Sequence, residues 1–117
     1  MKKISLFIFL FSSFVFSQNN EKAQITETLN SWHAAAGSAD FDAYFDLMTN
    51  DAVFIGTDAT ENWQRDAFMS FSKPYFDKGK AWTFHPLERN IYFSKNNKTA
   101  WFDALLETDL GICRGSG

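Results

Sequence analysis

Few side chains in this sequence could move a proton or hold a metal near neutral pH. The 117 residues include two histidines, His33 and His85, one cysteine, Cys113, and 14 acidic against 11 basic residues. Asp58 lies in the run Gly56-Thr57-Asp58-Ala59-Thr60-Glu61. With its pKa raised by aromatic neighbours, it could abstract a proton beside a carbonyl. The competing role is local, because an Asp in such a turn commonly caps a short helical stretch. Asp103 alternates with Trp101 and Leu105 and so shares a strand face with apolar side chains. On an interior face it would be a second buried acid. On an exterior face it would pair with a strand neighbour such as Arg89, or with a partner subunit. His33 follows Trp32 near an apolar helical stripe and could act as acid or base, or serve as a half-buried structural histidine. His85, between Phe84 and Pro86, would face either a pocket mouth or solvent.

Other chemistries are excluded more simply. Neither an HxH nor an HExxH spacing occurs, so no metal is expected. A single Cys rules out an intramolecular disulfide framework or a multi-cysteine zinc site. There is no glycine-rich phosphate loop and no Ser or Cys nucleophile motif, and nothing implies a cofactor. A net charge of -3 and a pI of about 5.2 argue against nucleic acid as a partner. Aromatic rings are plentiful, with 14 Phe, 4 Trp and 3 Tyr. Trp32, Trp63, Tyr44, Phe54 and Trp82, together with His85, are the candidates to line a site for a flat apolar ligand. Ordinary core packing would use the same rings.

These side chains need elements to position them. Ile25, Leu29, Trp32 and Ala36 recur at helical spacing, and Gly37-Ser38 should stop that helix. Asp40 can cap a second helix carrying Phe41, Tyr44, Phe45 and Met48 on one side. Ala52-Val53-Phe54-Ile55 reads as a short strand. A third helix fits Arg65 to Phe76, with Phe68, Phe71, Tyr75 and Phe76 as its apolar side and Pro74 kinking or ending it. Trp82 to Phe93 reads as a long strand, bent or bulged near Pro86. Lys95-Asn96-Asn97-Lys98 is a hairpin turn, and Thr99 to Glu107 returns as a strand. The fold class is therefore α+β, with three helices on one side of a curved antiparallel sheet. The sequence stops at Arg114-Gly115-Ser116-Gly117 just where another strand should begin, which reads as a fragment.

Residues 1–17 read as a signal peptide rather than part of the domain. Lys2-Lys3 precede an apolar run from Ile4 to Phe16 that would span roughly 20 Å as a helix, short of the ~30 Å hydrocarbon core. Val15-Phe16-Ser17 suits cleavage before Gln18. The expected product is exported, periplasmic or secreted, with no stable membrane anchoring. Cys113 would then be a lone thiol, buried so as to avoid intermolecular pairing.

The helix pair jointed at Ala39-Asp40-Phe41-Asp42, followed by Leu47-Met48-Thr49-Asn50-Asp51-Ala52-Val53-Phe54, resembles the nuclear transport factor 2-like superfamily. Gly56 to Trp63 is similar to its SnoaL-like branch, as is the hairpin from Ile91-Tyr92-Phe93-Ser94 to Thr99-Ala100-Trp101-Phe102-Asp103. The likeness covers about Lys22 to the end. It implies a cone, in which a strongly curved sheet wraps the helices around a pocket, with further closing strands beyond Gly117. It also implies a homodimer through the outer sheet face. Isomerase-like members use a first-helix Tyr as oxyanion donor and a carboxylate base after the first strand. Those positions fall on Trp32 and Gly56 here. Indole N–H can donate one hydrogen bond, but glycine cannot be a base. The expected function is binding of a small, largely apolar molecule. The alternatives are a ketosteroid isomerase- or polyketide cyclase-like enzyme and a non-catalytic protein-interaction module. The enzyme would use Asp58 or Asp103 as base and Trp32 or His33 as donor.

Overall fold

The computed structural model describes residues 2–117, with side chains from Ser17 onward. Among them are α1 (Lys2–Gly37), α2 (Phe41–Phe45), β1 (Val53–Ile55), β2 (Asn62–Gln64), α3 (Arg65–Asp77), β3 (Phe84–Phe93), β4 (Ala100–Thr108) and β5 (Gly111–Ser116). The class is α+β, as the sequence predicts. The strands form two separate antiparallel sheets, β1-β2 and β3-β4-β5, and neither is strongly curled.

The chain divides into two units, one ending at Asn30 and one running from Ser31 to Gly117. The first is helical, with Thr26 and Thr28 each donating a hydroxyl to the carbonyl four residues back, at 2.9 and 3.0 Å. The polar stretch from Gln18 to Lys22 is helical as well, with Gln, Glu and Lys favouring that state more than the two Asn between them. The export reading rests on side chains that lie outside the described residues. Among the described residues, no helix is long and apolar enough to cross a membrane.

In the second unit, α1 ends one step later than its glycine suggests. Gly37 stays helical, and Ala39 takes the left-handed conformation at φ 57°. The amide of Ala39 then bonds to the Ala36 carbonyl at 3.2 Å, and that of Asp40 to Ala35 at 2.9 Å. This pair of bonds closes the helix terminus in the manner usually supplied by glycine. Asp40 goes on to cap α2, accepting from the Ala43 amide at 3.1 Å. One residue thus ends one helix and starts the next, which fixes their crossing. Arg65 holds the far end of α2 by donating to the Phe45 carbonyl at 3.1 Å.

Helix α3 buries Phe68, Ser72 and Phe76, an i, i+4, i+8 stripe. Phe71 and Tyr75, predicted on that stripe, stay partly exposed. Pro74 does not stop the helix, which continues to Asp77. Strand β2 was not predicted. It pairs Trp63 with Phe54 across a hairpin whose loop spans 56–61.

The bend expected near Pro86 is a register shift between Pro86 and Glu88 that leaves Leu87 out of the ladder. Its effect on side-chain direction is decisive. Pro86 pairs with Leu106, and Arg89 pairs with Ala104. Phe84, Pro86, Arg89 and Ile91 therefore share the inner face with Phe102, Ala104 and Leu106, although uninterrupted alternation would separate Phe84 from Arg89. After Thr108, Gly111 at φ 111° reverses the chain, and β5 pairs with β4 along its length. The residues around Arg114 thus already form the strand that the sequence reading placed beyond them. Cys113 is half-buried on the inner face, opposite Leu106.

The core is aromatic. Ala35, Ala36, Tyr44, Phe45, Phe68 and Phe76 are buried, with Trp32, Phe54, Trp82 and Phe84 packed against them. The two alanines on α1 matter because small side chains let the α2 rings approach the helix closely.

Candidate functional site

The last turns of α1 bring Trp32 and His33 side by side, with ring centroids 5.5 Å apart. Tyr44 of α2 stacks on Trp32 at 5.1 Å and 21°. Phe84 of β3 lies 5.2 Å from the His33 ring. Tyr44 continues the contact to Phe68 at 6.4 Å and Trp82 at 6.5 Å, and Phe54 stacks on Phe68 at 3.9 Å. A histidine and an indole thus sit at one end of a continuous array of rings, where alternation across the bulge also places Arg89 on the same sheet face as Phe84.

This environment sets the protonation states. His33 is 7% exposed. Burial, and secondly the charge of Arg89, lower its pKa to about 4, so the imidazole is neutral at physiological pH. Burial raises the Tyr44 phenol well above its ordinary value, and it too stays neutral. Arg89 is pushed down by burial but remains charged.

Two nitrogens of this cluster lack partners. Trp32 Nε1 and His33 Nδ1 are shielded from solvent without a hydrogen bond. The Ser72 hydroxyl and Trp63 Nε1 share that condition. Each such group costs roughly 1–3 kcal/mol relative to a paired one. A neutral imidazole protonated on Nδ1, next to an indole N–H, presents two donors. Protonated on Nε2, it presents one donor and one acceptor. Either arrangement can hold an oxygen atom.

The remaining predicted residues go elsewhere. Asp58 is exposed, and its carboxylate accepts from the Thr60 hydroxyl at 2.6 Å and the Thr60 amide at 2.8 Å. The hydroxyl first, and then the amide, lower its pKa, the reverse of the shift a general base would need. The Glu61 carboxylate accepts from the Asp58 amide at 3.1 Å. A Cβ on Gly56 would lie only 2.8 Å from that of Glu61, so the space at the isomerase base position is taken by the Glu61 side chain. Asp103 lies on the outer sheet face, where it accepts from Asn90 Nδ2 at 3.0 Å and the Tyr92 hydroxyl at 3.1 Å. Arg89, offered as its strand partner, points to the opposite face. His85 is exposed and in register with Glu107 on that outer side. Trp63 stacks on Phe71 at 4.8 Å. The structure therefore gathers Trp32, His33, Tyr44, Phe54 and Trp82, and leaves Asp58, Asp103 and His85 outside. Among the described residues, no three His, Cys, Asp or Glu side chains are grouped to hold a metal ion.

Sequence reasoning missed Phe84 and Arg89 as neighbours of His33. The available signal was Pro86, whose missing N–H marks the bulge that puts both on one face.

The layout of two capped helices, a hairpin, a third helix and a three-stranded antiparallel sheet over an aromatic core matches a known class. A profile of the SnoaL-like domain covers residues 25–117, and the chain belongs to that family, a branch of the nuclear transport factor 2-like superfamily. No curated protein matches the sequence.

Proposed function

We propose that this SnoaL-like domain binds a small, largely apolar molecule between the Trp32–His33 pair and the inner sheet face, within a cone-like arrangement of the helices and the sheet. The observation that carries the reading is the pair of buried, unpartnered nitrogens at the edge of an aromatic wall. Rings supply area for a flat body, and polar groups among them fix its orientation. Both nitrogens are screened from solvent, so a guest must part the rings to reach them, and binding is slower than a diffusional encounter. Titration of the full chain with hydrophobic carbonyl compounds, read by tryptophan fluorescence, tests the reading. The expected result is saturable quenching that weakens about tenfold in Trp32→Phe, which keeps the ring but loses the donor. No saturable response to any compound would overturn it.

The exported location and a homodimer belong to the same proposal. The outer sheet face supports the latter, since Tyr92 and Trp101 stack there at 6.0 Å while 44% and 49% exposed. Sedimentation of the full chain with and without Trp101→Lys reads the oligomeric state; a wild-type monomer would remove the dimer. Catalysis has narrower support. A histidine with a pKa near 4 is a weak base, but as a neutral hydrogen-bond donor it can polarise a carbonyl.

A further inference from the structure

We propose that His33 latches the end of α1 to the start of β3 and that acid releases the latch: a proton on the imidazole parts the His33–Phe84 contact and opens the Trp32 indole to solvent while the remainder of the fold stands. The device regulates the cluster read above as the binding site, yet it belongs to the chain alone. Its test uses no guest, so it and the binding reading can fail separately.

The seam lies between residues 82 and 84. Trp82 is held by the helices, with its ring 6.0 Å from Phe68 and 5.8 Å from Phe76. Thr83 already belongs to the sheet, because its amide donates at 3.3 Å to the carboxylate of Asp109, in the turn between β4 and β5. Lys80 to Thr83 carry neither helix nor strand, so a shift there breaks no ladder. Phe84 begins β3, and its ring lies 5.2 Å from that of His33. Among the described residues, no other pair of rings joins a helix to the three-stranded sheet. The backbone adds a long bond at this corner, from the Ala81 amide to the Ala36 carbonyl at 3.4 Å.

Nothing at this corner favours a charge on the imidazole. His33 is buried, and its Nδ1 has no hydrogen bond to fix the ring. Residues 28–37 of α1 carry no charged side chain. From α2 comes Tyr44, kept neutral because burial raises its phenol. From β3 come Phe84 and the charge of Arg89, which has the same sign as an imidazolium. A buried cation without a counter-charge is costly, and a ring that swings away from Phe84 into water escapes that cost. Burial first, and then the charge of Arg89, hold the closed-state pKa at about 4 against an ordinary 6.5. The open corner therefore becomes about tenfold more populated for each pH unit as pH falls from 6.5 towards 4. Below that the gain levels off, at about 300-fold.

Hydrogen exchange at the tryptophan indoles of the full chain, followed by nuclear magnetic resonance from neutral pH into acid, tests the latch. Trp32 Nε1 is shielded and without a hydrogen bond, so its proton reaches water only when the corner opens. Trp63 Nε1 is in the same condition on β2, beneath a stack on Phe71, and serves as the reference. Protection is taken relative to a free indole at each pH. The expected result is that protection of Trp32 falls more than about a hundredfold between neutral pH and the closed-state pKa, and that Trp32 there exchanges about tenfold or more faster than Trp63. His33→Phe keeps a ring against Phe84 but takes no proton, and should leave the protection of Trp32 independent of pH. Should His33→Phe fail to fold, His33→Leu replaces it with the same expectation. Equal protection of the two indoles throughout would mean that acid unfolds the whole chain, which overturns the local latch. A Trp32 indole unprotected at neutral pH, or one whose protection ignores pH, overturns it as well. A pH dependence that survives loss of the imidazole overturns the role of His33.

Discussion

The two faces of the β3-β4-β5 sheet both mix aromatic rings with polar groups, and they treat those groups in opposite ways. Outside, Asp103 is bonded to Asn90 and Tyr92, and Tyr92 stacks on Trp101. Water could satisfy every one of these groups if the network were broken, so the bonds there add little. Inside, Trp32 Nε1 and His33 Nδ1 are out of reach of water and without a hydrogen bond, and the half-buried Arg89 acts on His33 electrostatically. A carboxylate alternating with apolar residues looked like a site in the sequence and is a surface network. The interior groups, which pay a standing desolvation penalty, are the better guide to where a ligand is proposed.

The contrast can be broken first by stability. Phe68 stacks between Phe54 and Trp82 at 3.9 and 6.0 Å. Phe68→Ala should cost about 3–5 kcal/mol in urea unfolding. Trp101→Ala on the outer face should cost less than about 1 kcal/mol. Similar losses at the two positions would mean that the interior and the outer sheet face are not distinct.

Acid should act through the interior next. His33 has a pKa of about 4 folded and an ordinary value of 6.5 unfolded. Between those values the unfolded chain holds a proton that the folded one excludes. Stability from this residue is complete above pH 6.5, declines as pH falls towards 4, and levels off below. At about 1.4 kcal/mol per pKa unit the loss is about 3–4 kcal/mol. Urea midpoints at pH 7, 5 and 4 measure it, and His33→Leu should remove that part of the slope.

A smaller effect is expected at the joint between α1 and α2. Asp40→Ala removes the cap on Ala43 and should cost about 1 kcal/mol. Ala39→Gly relieves a left-handed alanine and should stabilise by about 0.5–1 kcal/mol. Thermal melts of the two variants should move in opposite directions. The least disruptive change lies outside. Asp103 raises the Tyr92 phenol through their hydrogen bond and then its charge. Asp103→Asn should therefore lower the pH at which Tyr92 ionises, seen by ultraviolet absorbance, without altering ligand binding.

Much of this architecture was legible because local chemistry dictates it. Asp40 before Phe41-Asp42-Ala43-Tyr44 is a cap in any context, and Asn97 takes the positive φ of 54° that its turn position suggests. The candidates Trp32, His33 and Tyr44 could be named because helical periodicity fixes their side. Strand faces were harder. Both sides of β4 are apolar, so alternation alone could not say whether Asp103 points in or out. Strand β5 was illegible for another reason. Gly111-Ile112-Cys113-Arg114-Gly115-Ser116 has little β-propensity, and it is a strand because the open edge of β4 offers it a ladder. Left-handed Ala39 was hidden by the neighbouring Gly37, which is the residue expected to terminate a helix.

Leu87, the leucine left out of the β3 ladder, has a wider consequence. If the strand paired without interruption from Phe84 onward, Glu88 and Asn90 would enter the interior and Arg89 would leave it. The electrical sign of the inner sheet face is thus decided by where the chain carries one residue too many. A relative could turn that face from basic to acidic by sliding a single step, with every side chain of the strand conserved.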